Sequence, residues 1–350
     1  MDKKLQSPDY SLLPTFSLES HKPVGTGEAP LAARRLEASQ PRPACAIWMP
    51  LALFLALAGA APPTRPTGPP PRTTAQKAVD WAFETAFPML YAFENEGMLD
   101  SSKNLRVLWT RALLANANLI DDDVATKLLP TTTSWVVGKP FANTIWQPVL
   151  PKLTWIKQRT EFIDQALDRF LEDCRRGPRP QVVLLGAGYD TRALRYRNAG
   201  AGFYEIDLET VVDVKGGMVR RFFEQVGGEC SIRTLALDFN KFDFSSCSPF
   251  DLLVKNHGLD QTRPTLIVCE ALLFYLAPPA KRALMSAASS FIRENSRSKV
   301  VLVDNLAPFV TSPLEKDAAD FLNPLGMELG AHASLWGGAI QFLEVTSNHV

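Results

Sequence analysis

Histidine is scarce in this sequence, net charge is absent, and no cysteines are paired by spacing. Histidine occurs four times in 350 residues, at His21, His257, His332 and His349. Candidates for a general base working near neutral pH are therefore few. Lys plus Arg and Asp plus Glu balance at 37 each. A formal charge of zero leaves no electrostatic footprint for nucleic acid as a partner. The five cysteines (Cys45, Cys174, Cys230, Cys247, Cys269) are scattered, odd in number and nowhere spaced CxxC. That supports neither a metal site nor a disulfide framework. No internal repeat is visible. What remains is an ordinary globular balance, 46% apolar and 21% charged, in a chain long enough for one large or two smaller domains.

Residues 1–73 read as a leader. Residues 1–43 are polar, contain Pro and Ser, and show no clear period, which is a disordered composition. Ala44–Ala61 (ACAIWMPLALFLALAGAA) is uncharged and mostly apolar for 18 residues. Arg34, Arg35 and Arg42 precede it, Pro50 interrupts it, and Ala58-Gly59-Ala60 has the shape of a small-residue cleavage site. Three readings stay open: a cleaved segment for the secretory pathway or an organelle, a signal anchor giving membrane association, or a low-complexity leader. If the segment is unused, the protein is cytoplasmic. Pro62–Arg72 (PPTRPTGPPPR) reads as an extended linker. The folded part should begin near residue 74.

Residues 74–178 read as a helical cover. Ala75–Ala92 carries apolar residues at mixed helical spacing, and Ser101/Ser102 suit the cap of a helix through Leu105, Leu108, Leu113 and Leu114. Asp121–Asp123 can start the next turn, and Pro140, Pro148 and Pro151 mark an irregular region. Thr154–Arg175 is amphipathic, with Ile156, Phe162, Ile163, Leu167, Phe170 and Leu171 on its apolar face, and Gly177-Pro178 ends it. From 179 to 350 the pattern changes. Short apolar strands (Val182–Leu185, Phe203–Ile206, Ile232–Leu237, Thr265–Cys269, Lys299–Val303) alternate with helical runs over Thr191–Arg197, Leu208–Gln225 and Pro278–Asn295. The alternation predicts an α/β fold: a doubly wound parallel sheet.

One stretch, Gln181–Arg197 (QVVLLGAGYDTRALRYR), organises the rest. A buried strand breaks at Gly186-Ala187-Gly188 and turns straight into a helix, which is how α/β proteins hold nucleotide-like ligands. Thr191 occupies the place of the third glycine of GxGxxG, which disfavours a nicotinamide dinucleotide. Asp207 ends the second strand 19 residues beyond Gly188 and can accept hydrogen bonds from a ribose diol. Asp238 follows the third strand and Glu270 the fourth, so topology brings all these groups to one sheet edge. Asp304 closes the fifth strand and reads as a residue away from the ligand.

Taken together, RTEFID, GAGYDTRALR, EIDL, LDF and TLIVCEALLFYL resemble the leucine carboxyl methyltransferase family, which are S-adenosylmethionine-dependent O-methyltransferases. The resemblance runs from about Leu105 to about Asn305. It implies a Rossmann-like methyltransferase sheet with a helical N-terminal cover, and S-adenosyl-L-methionine as cofactor. It implies that Arg159 pairs with the methionine carboxylate, Gly186 and Gly188 form the cofactor turn, and Asp207 holds the ribose. Asp238 and Phe239 flank the adenine, and Glu270 lies near the cofactor amino group. Arg111 is a looser match to a further cofactor contact. Phe274-Tyr275 fits a family position after the fourth strand, with Phe274 reading as core.

Two features depart from the family. Tyr189 is bulky for the glycine turn. Only 46 residues follow Asp304, into which Ile340–Val345 fits as one strand and a closing antiparallel pair does not, so the C-terminal part reads as incomplete or altered. His257, in VKNHGLD, reads as an exposed loop histidine. The scarcity of bases favours a carboxylate acceptor, already ionised at neutral pH. The resemblance implies a protein C-terminal leucine, as on a phosphatase catalytic subunit. A small-molecule acceptor is the alternative that the leader favours, and a non-catalytic membrane-tethered relative is a third. No catalytic residue is assigned.

Overall fold

The computed structural model describes residues 105–147 and 150–348. The leader, the 44–61 stretch, the linker, the helix expected over 75–92 and the Ser101/Ser102 cap lie outside the described residues. Among the described residues, no helix is long and apolar enough to cross a membrane.

The elements alternate as the sequence pattern requires. The cover comprises α1 (Leu105–Asn116), α2 (Asp123–Leu128), α3 (Thr131–Val136), α4 (Lys139–Ala142) and the long α5 (Thr154–Asp173). Then follow β1 (Gln181–Leu185), α6 (Arg192–Arg195), β2 (Gly202–Asp207), α7 (Glu209–Val226), β3 (Arg233–Ala236), α8 (Pro249–His257) and β4 (Thr265–Glu270). The chain continues through α9 (Pro278–Ile292), β5 (Lys299–Asp304), α10 (Glu315–Leu322), β6 (Met327–Leu335) and β7 (Ile340–Ser347).

The strands form one seven-stranded sheet in the order β3-β2-β1-β4-β5-β7-β6. β1 to β5 are parallel, and β7 runs antiparallel between β5 and β6. This is the doubly wound, Rossmann-like architecture. Strand order reverses between β1 and β4, so the crevice for a ligand opens at their C-terminal ends.

The strands are apolar because both faces are covered. Val182, Leu184, Leu266, Val268, Val301 and Val303 point to the side where α5 packs Ile163, Leu167 and Phe170. Val183, Leu185, Ile206, Ile267, Val300 and Leu302 alternate to the other side, against Leu253 of α8 and Leu284, Met285 and Phe291 of α9. Period-2 alternation thus splits one set of strands into two cores.

Two expectations need correction. A complete antiparallel pair does close the sheet, with Leu335 opposite Ile340 and Met327 opposite Ser347. It fits because the connection is a single tight turn, Trp336–Gly338, with Trp336 and both glycines at positive φ. A register shift near Gly330 absorbs one extra residue of β6. The second correction is α8. Residues 249–257 form a helix where the sequence reading has none, with Ser248 and Asp251 as a reciprocal capping box, Pro249 at its start and Gly258 in the left-handed conformation after it. His257 is therefore the last residue of a helix rather than a loop residue.

Candidate functional site

The turn after β1 brings backbone close to two neighbours. Gly186 has φ of +60°, and a Cβ there would meet Leu272 Cδ1 at 2.8 Å. Gly188, at φ +46°, donates its N–H to Asp207 Oδ2 at 2.6 Å. The other oxygen, Oδ1, accepts from the Leu208 N–H at 2.7 Å. Asp207 is thus held by backbone donors from its own strand end and from the glycine turn. Burial raises its pKa above the ordinary aspartate value, and the two backbone N–H groups offset only part of that.

Glu270, at the end of β4, stands among arginines. Its Oε1 is 2.5 Å from Arg159 Nε, and its Oε2 accepts from Arg192 Nη1. Burial alone would push its pKa up, but Arg192 and Arg159 hold it below the ordinary glutamate value. Arg192 is fully buried and bridges three acids. Nε donates to Asp164 Oδ1 of α5 at 2.6 Å, and Nη1 to Asp190 Oδ2 in the glycine turn at 2.5 Å and to Glu270. Arg195 chelates both oxygens of Asp164 at 2.9 and 2.8 Å. Arg111 of α1 donates through Nε to Asp122 Oδ2 at 2.7 Å, and Thr191 Oγ donates to the same oxygen at 2.8 Å. The short segment 190–195 is therefore bolted to α5, to β4 and to the α1–α2 cover by buried charge.

This explains the missing third glycine. Thr191 is fully buried, and its hydroxyl ties the turn to Asp122, which also caps α2 through Ala125 N–H. Arg111, expected loosely as a cofactor contact, is instead spent on Asp122 and Thr191. Tyr189 is buried and accommodated.

Arg159 is not fully satisfied. It is 5% exposed, and its Nε and Glu270 Oε1 have no hydrogen-bond partner despite their proximity. The two charges form a close ion pair whose geometry is poor for a hydrogen bond, so a cation and an anion stand side by side at the edge of the crevice. Arg159 Cζ lies 5.0 Å from the Trp155 ring centroid, and Trp155 lies 5.6 Å from Trp336 in the β6–β7 turn. Gln341 is opposite Asp304 in the sheet, so that turn stands at the same edge as the strand ends.

The other predicted residues lie outside the charge cluster but at the same sheet edge, where Leu237 N–H donates to the Asp207 carbonyl at 2.8 Å. Asp238 follows β3 and accepts from Asn240 N–H at 3.0 Å, with Lys241 at 3.1 Å. The Phe239 ring is buried in the core cluster of that face. Asp304 is buried and accepts N–H bonds from Leu272, Leu273, Phe274 and Asn305, so it shapes the loop after β4. Burial pushes its pKa up to about 6. Ala271, just after Glu270, is held at φ +54°. Phe274, expected in the core, is 40% exposed and packs its ring on Tyr275 instead. Here the loop held by Asp304 turns both rings outward. His257 ends α8, beside the Gly258 carbonyl that accepts from Tyr204 OH, toward the N-terminal ends of the strands. It is at the wrong edge to act on a ligand at Glu270.

The residues that sequence reasoning missed are Asp164, Asp190, Thr191, Arg192, Trp155 and Trp336. Two arginines three apart, opening a short helix behind a glycine turn, were the available signal for the charge lattice.

The sequence profile of the leucine carboxyl methyltransferase family matches residues 102–289. A provisionally named S-adenosyl-L-methionine-dependent methyltransferase from Mycolicibacterium paratuberculosis is 29% identical over 213 residues, which are 56% of this chain and 62% of that protein. A second, from Saccharopolyspora erythraea, is 30% identical over 223 residues, 62% of this chain and 70% of that protein. The chain spans about three fifths of the length of several such relatives. Among solved structures, a magnesium protoporphyrin IX methyltransferase from Synechocystis with bound SAH is 14% identical, covers 56% of this chain and 86% of that chain, and gives a TM-score of 0.37.

Proposed function

This chain belongs to the leucine carboxyl methyltransferase family, and from that premise we propose that it is an S-adenosylmethionine-dependent O-methyltransferase. The observation that carries the reading is the Arg159–Glu270 ion pair, two opposite charges held 2.5 Å apart and largely buried at the switch point. The amino-acid end of S-adenosylmethionine is a zwitterion. Its carboxylate fits the guanidinium of Arg159, and its ammonium fits the carboxylate of Glu270. Asp207 would then hold the ribose, Gly186 and Gly188 would let the backbone approach, and Asp238 would flank the adenine, with Phe239 contributing its backbone because its ring is buried in the core. When bound, the cofactor supplies a methyl group on a sulfonium. The protein's part is to orient the acceptor in line and to exclude water.

A carboxylate is the acceptor class that needs least from this site. Both histidines among the described residues are committed or distant: His332 Nε2 lies 2.9 Å from Gln341 Oε1, and His257 is at the far edge. An ionised carboxylate requires no base. The acceptor we favour is a protein C-terminal leucine, as on a phosphatase catalytic subunit. A small carboxylic acid is the second reading, favoured by the apolar 44–61 stretch, since an enzyme sent to a membrane or organelle would not meet a cytosolic phosphatase.

The test is to incubate the full chain with methyl-labelled S-adenosylmethionine, a peptide ending in a free leucine carboxylate, the same peptide amidated, and a panel of small carboxylic acids. Label on the free peptide alone supports the leucine reading. Label only on a small acid replaces it with the second. Cofactor binding without transfer to any acceptor of this class would reduce the protein to a non-catalytic relative.

A further inference from the structure

The family reading uses Glu270 and Arg159 but leaves Arg192 without a role. Arg192 is fully buried, yet it is no simple ion pair. One guanidinium joins three separate elements: Asp164 on α5, Asp190 in the turn after β1, and Glu270 at the end of β4. A buried charge is costly to desolvate, so three partners on one cation imply that the arrangement itself is wanted. The division of Glu270 is the informative detail. Oε2 is hydrogen-bonded to Arg192, while Oε1 pairs with Arg159 at 2.5 Å, so each oxygen is aimed by a different arginine.

We propose that Arg192 is a positioning residue for the cofactor: by fixing one oxygen of Glu270, it keeps the other turned toward the ligand's ammonium, beside the arginine that meets its carboxylate. This rests on the cofactor reading above. Four arginines (Arg111, Arg159, Arg192, Arg195) meet four acids (Asp122, Asp164, Asp190, Glu270) around the site. A zwitterion adds no net charge to that balanced set, whereas an anion or a cation alone would upset it. The same bridge explains why Glu270 stays ionised when buried. The charges that face it are Arg192 and Asp190 from the turn after β1, Arg159 from α5 and Arg111 from α1. Lysine could supply the charge but not a planar fork that reaches three carboxylates.

The test separates the two ends of the ligand. Calorimetry on the full chain would use S-adenosylhomocysteine and 5′-methylthioadenosine, which keeps the adenosine and sulfur but lacks the amino-acid end. Arg192→Lys should weaken S-adenosylhomocysteine by about tenfold or more and 5′-methylthioadenosine by less than about twofold. Glu270→Gln should reproduce that pattern, and the double variant should bind no worse than Glu270→Gln alone, because Arg192 acts through Glu270. The loss in Arg192→Lys should also grow between pH 7 and pH 5, since Glu270 without its bridge protonates more readily. If Arg192→Lys fails to fold, Asp164→Asn, which loosens Arg192 from α5, should give a smaller loss with the same selectivity. The proposal is overturned if the variant binds both ligands as the wild type does, or loses both in equal proportion. If the wild type binds 5′-methylthioadenosine but not S-adenosylhomocysteine, the cofactor reading itself falls, and this role with it.

Discussion

Asp207 and Glu270 end neighbouring halves of the same sheet, two strands apart, and are held by opposite means. Asp207 has no ion pair among its described contacts, and Lys215 acts on it only through its field. Two backbone N–H groups hold it, one from Gly188 and one from Leu208, and burial still raises its pKa. Glu270 meets no backbone donor among its described bonds. Two arginines hold it, and its pKa is lowered although burial opposes this. The difference suits their proposed ligands. A ribose diol is neutral, and a carboxylate held by dipoles can receive its hydroxyls without a competing cation. An ammonium is charged, and the acid that meets it must be ionised at every working pH.

The comparison breaks most visibly if Arg192 is removed. Arg192→Met leaves Asp164, Asp190 and Glu270 buried around a vacated charge, and should cost about 3–5 kcal/mol of folding stability, read from urea denaturation. Asp207→Ala removes no buried counter-charge, so its folding cost should be much smaller. Its binding cost should be large: two charge-assisted hydrogen bonds to the ribose, or about 100-fold in affinity for S-adenosylhomocysteine, measured by calorimetry. An unchanged affinity would sink the ribose assignment.

A pH series sharpens the contrast, because the two shifts have opposite signs. The raised pKa of Asp207 means that its ionisation opposes folding: this contribution favours the fold below the ordinary aspartate value and is lost as pH rises through the folded value. Glu270 contributes stability above the ordinary glutamate value, which is lost as pH falls through its lowered one. Affinity for S-adenosylhomocysteine in the wild type should therefore fall on acidification as Asp207 protonates. Asp207→Asn should flatten that fall, and a steep fall persisting in the variant would assign it elsewhere. The smallest expected effect is at Thr191→Gly, which restores the dinucleotide-type turn. Losing the hydroxyl that joins Asp122 should cost about 1 kcal/mol in stability and little in affinity, as a melting scan and a titration would show.

Much of the framework was legible in the chain. Val182–Leu185 ahead of two glycines, and acids closing FYEID and TLIVC, are local signals, and the sheet places them where local reasoning expects. The missed features share a different character. Arg192 looks like an ordinary helical charge until α5 brings Asp164, 28 positions earlier, within 2.6 Å. β6 (MELGAHASL) is half-exposed and rich in small residues, so it carries no strong alternation, and its pairing is decided by β7 across a turn of three residues. The α8 helix did carry local signals in Ser248, Pro249, Asp251 and Gly258; the preceding polar run DFSSCS concealed them. Phe274 has a core composition and an exposed position because Asp304, 30 residues later, dictates the loop that carries it.

The charge lattice around segment 190–195 also limits how this protein can diverge. Asp122, Asp164, Asp190, Thr191, Arg192, Arg195 and Glu270 come from four stretches of the gene but share one set of contacts. Changing any one strands a buried partner, so single steps are penalised while a matched set of changes is not. Lineages should keep these positions together or replace them together. A relative that has lost one member of the set and kept the rest would be a descendant no longer under selection to bind its ligand.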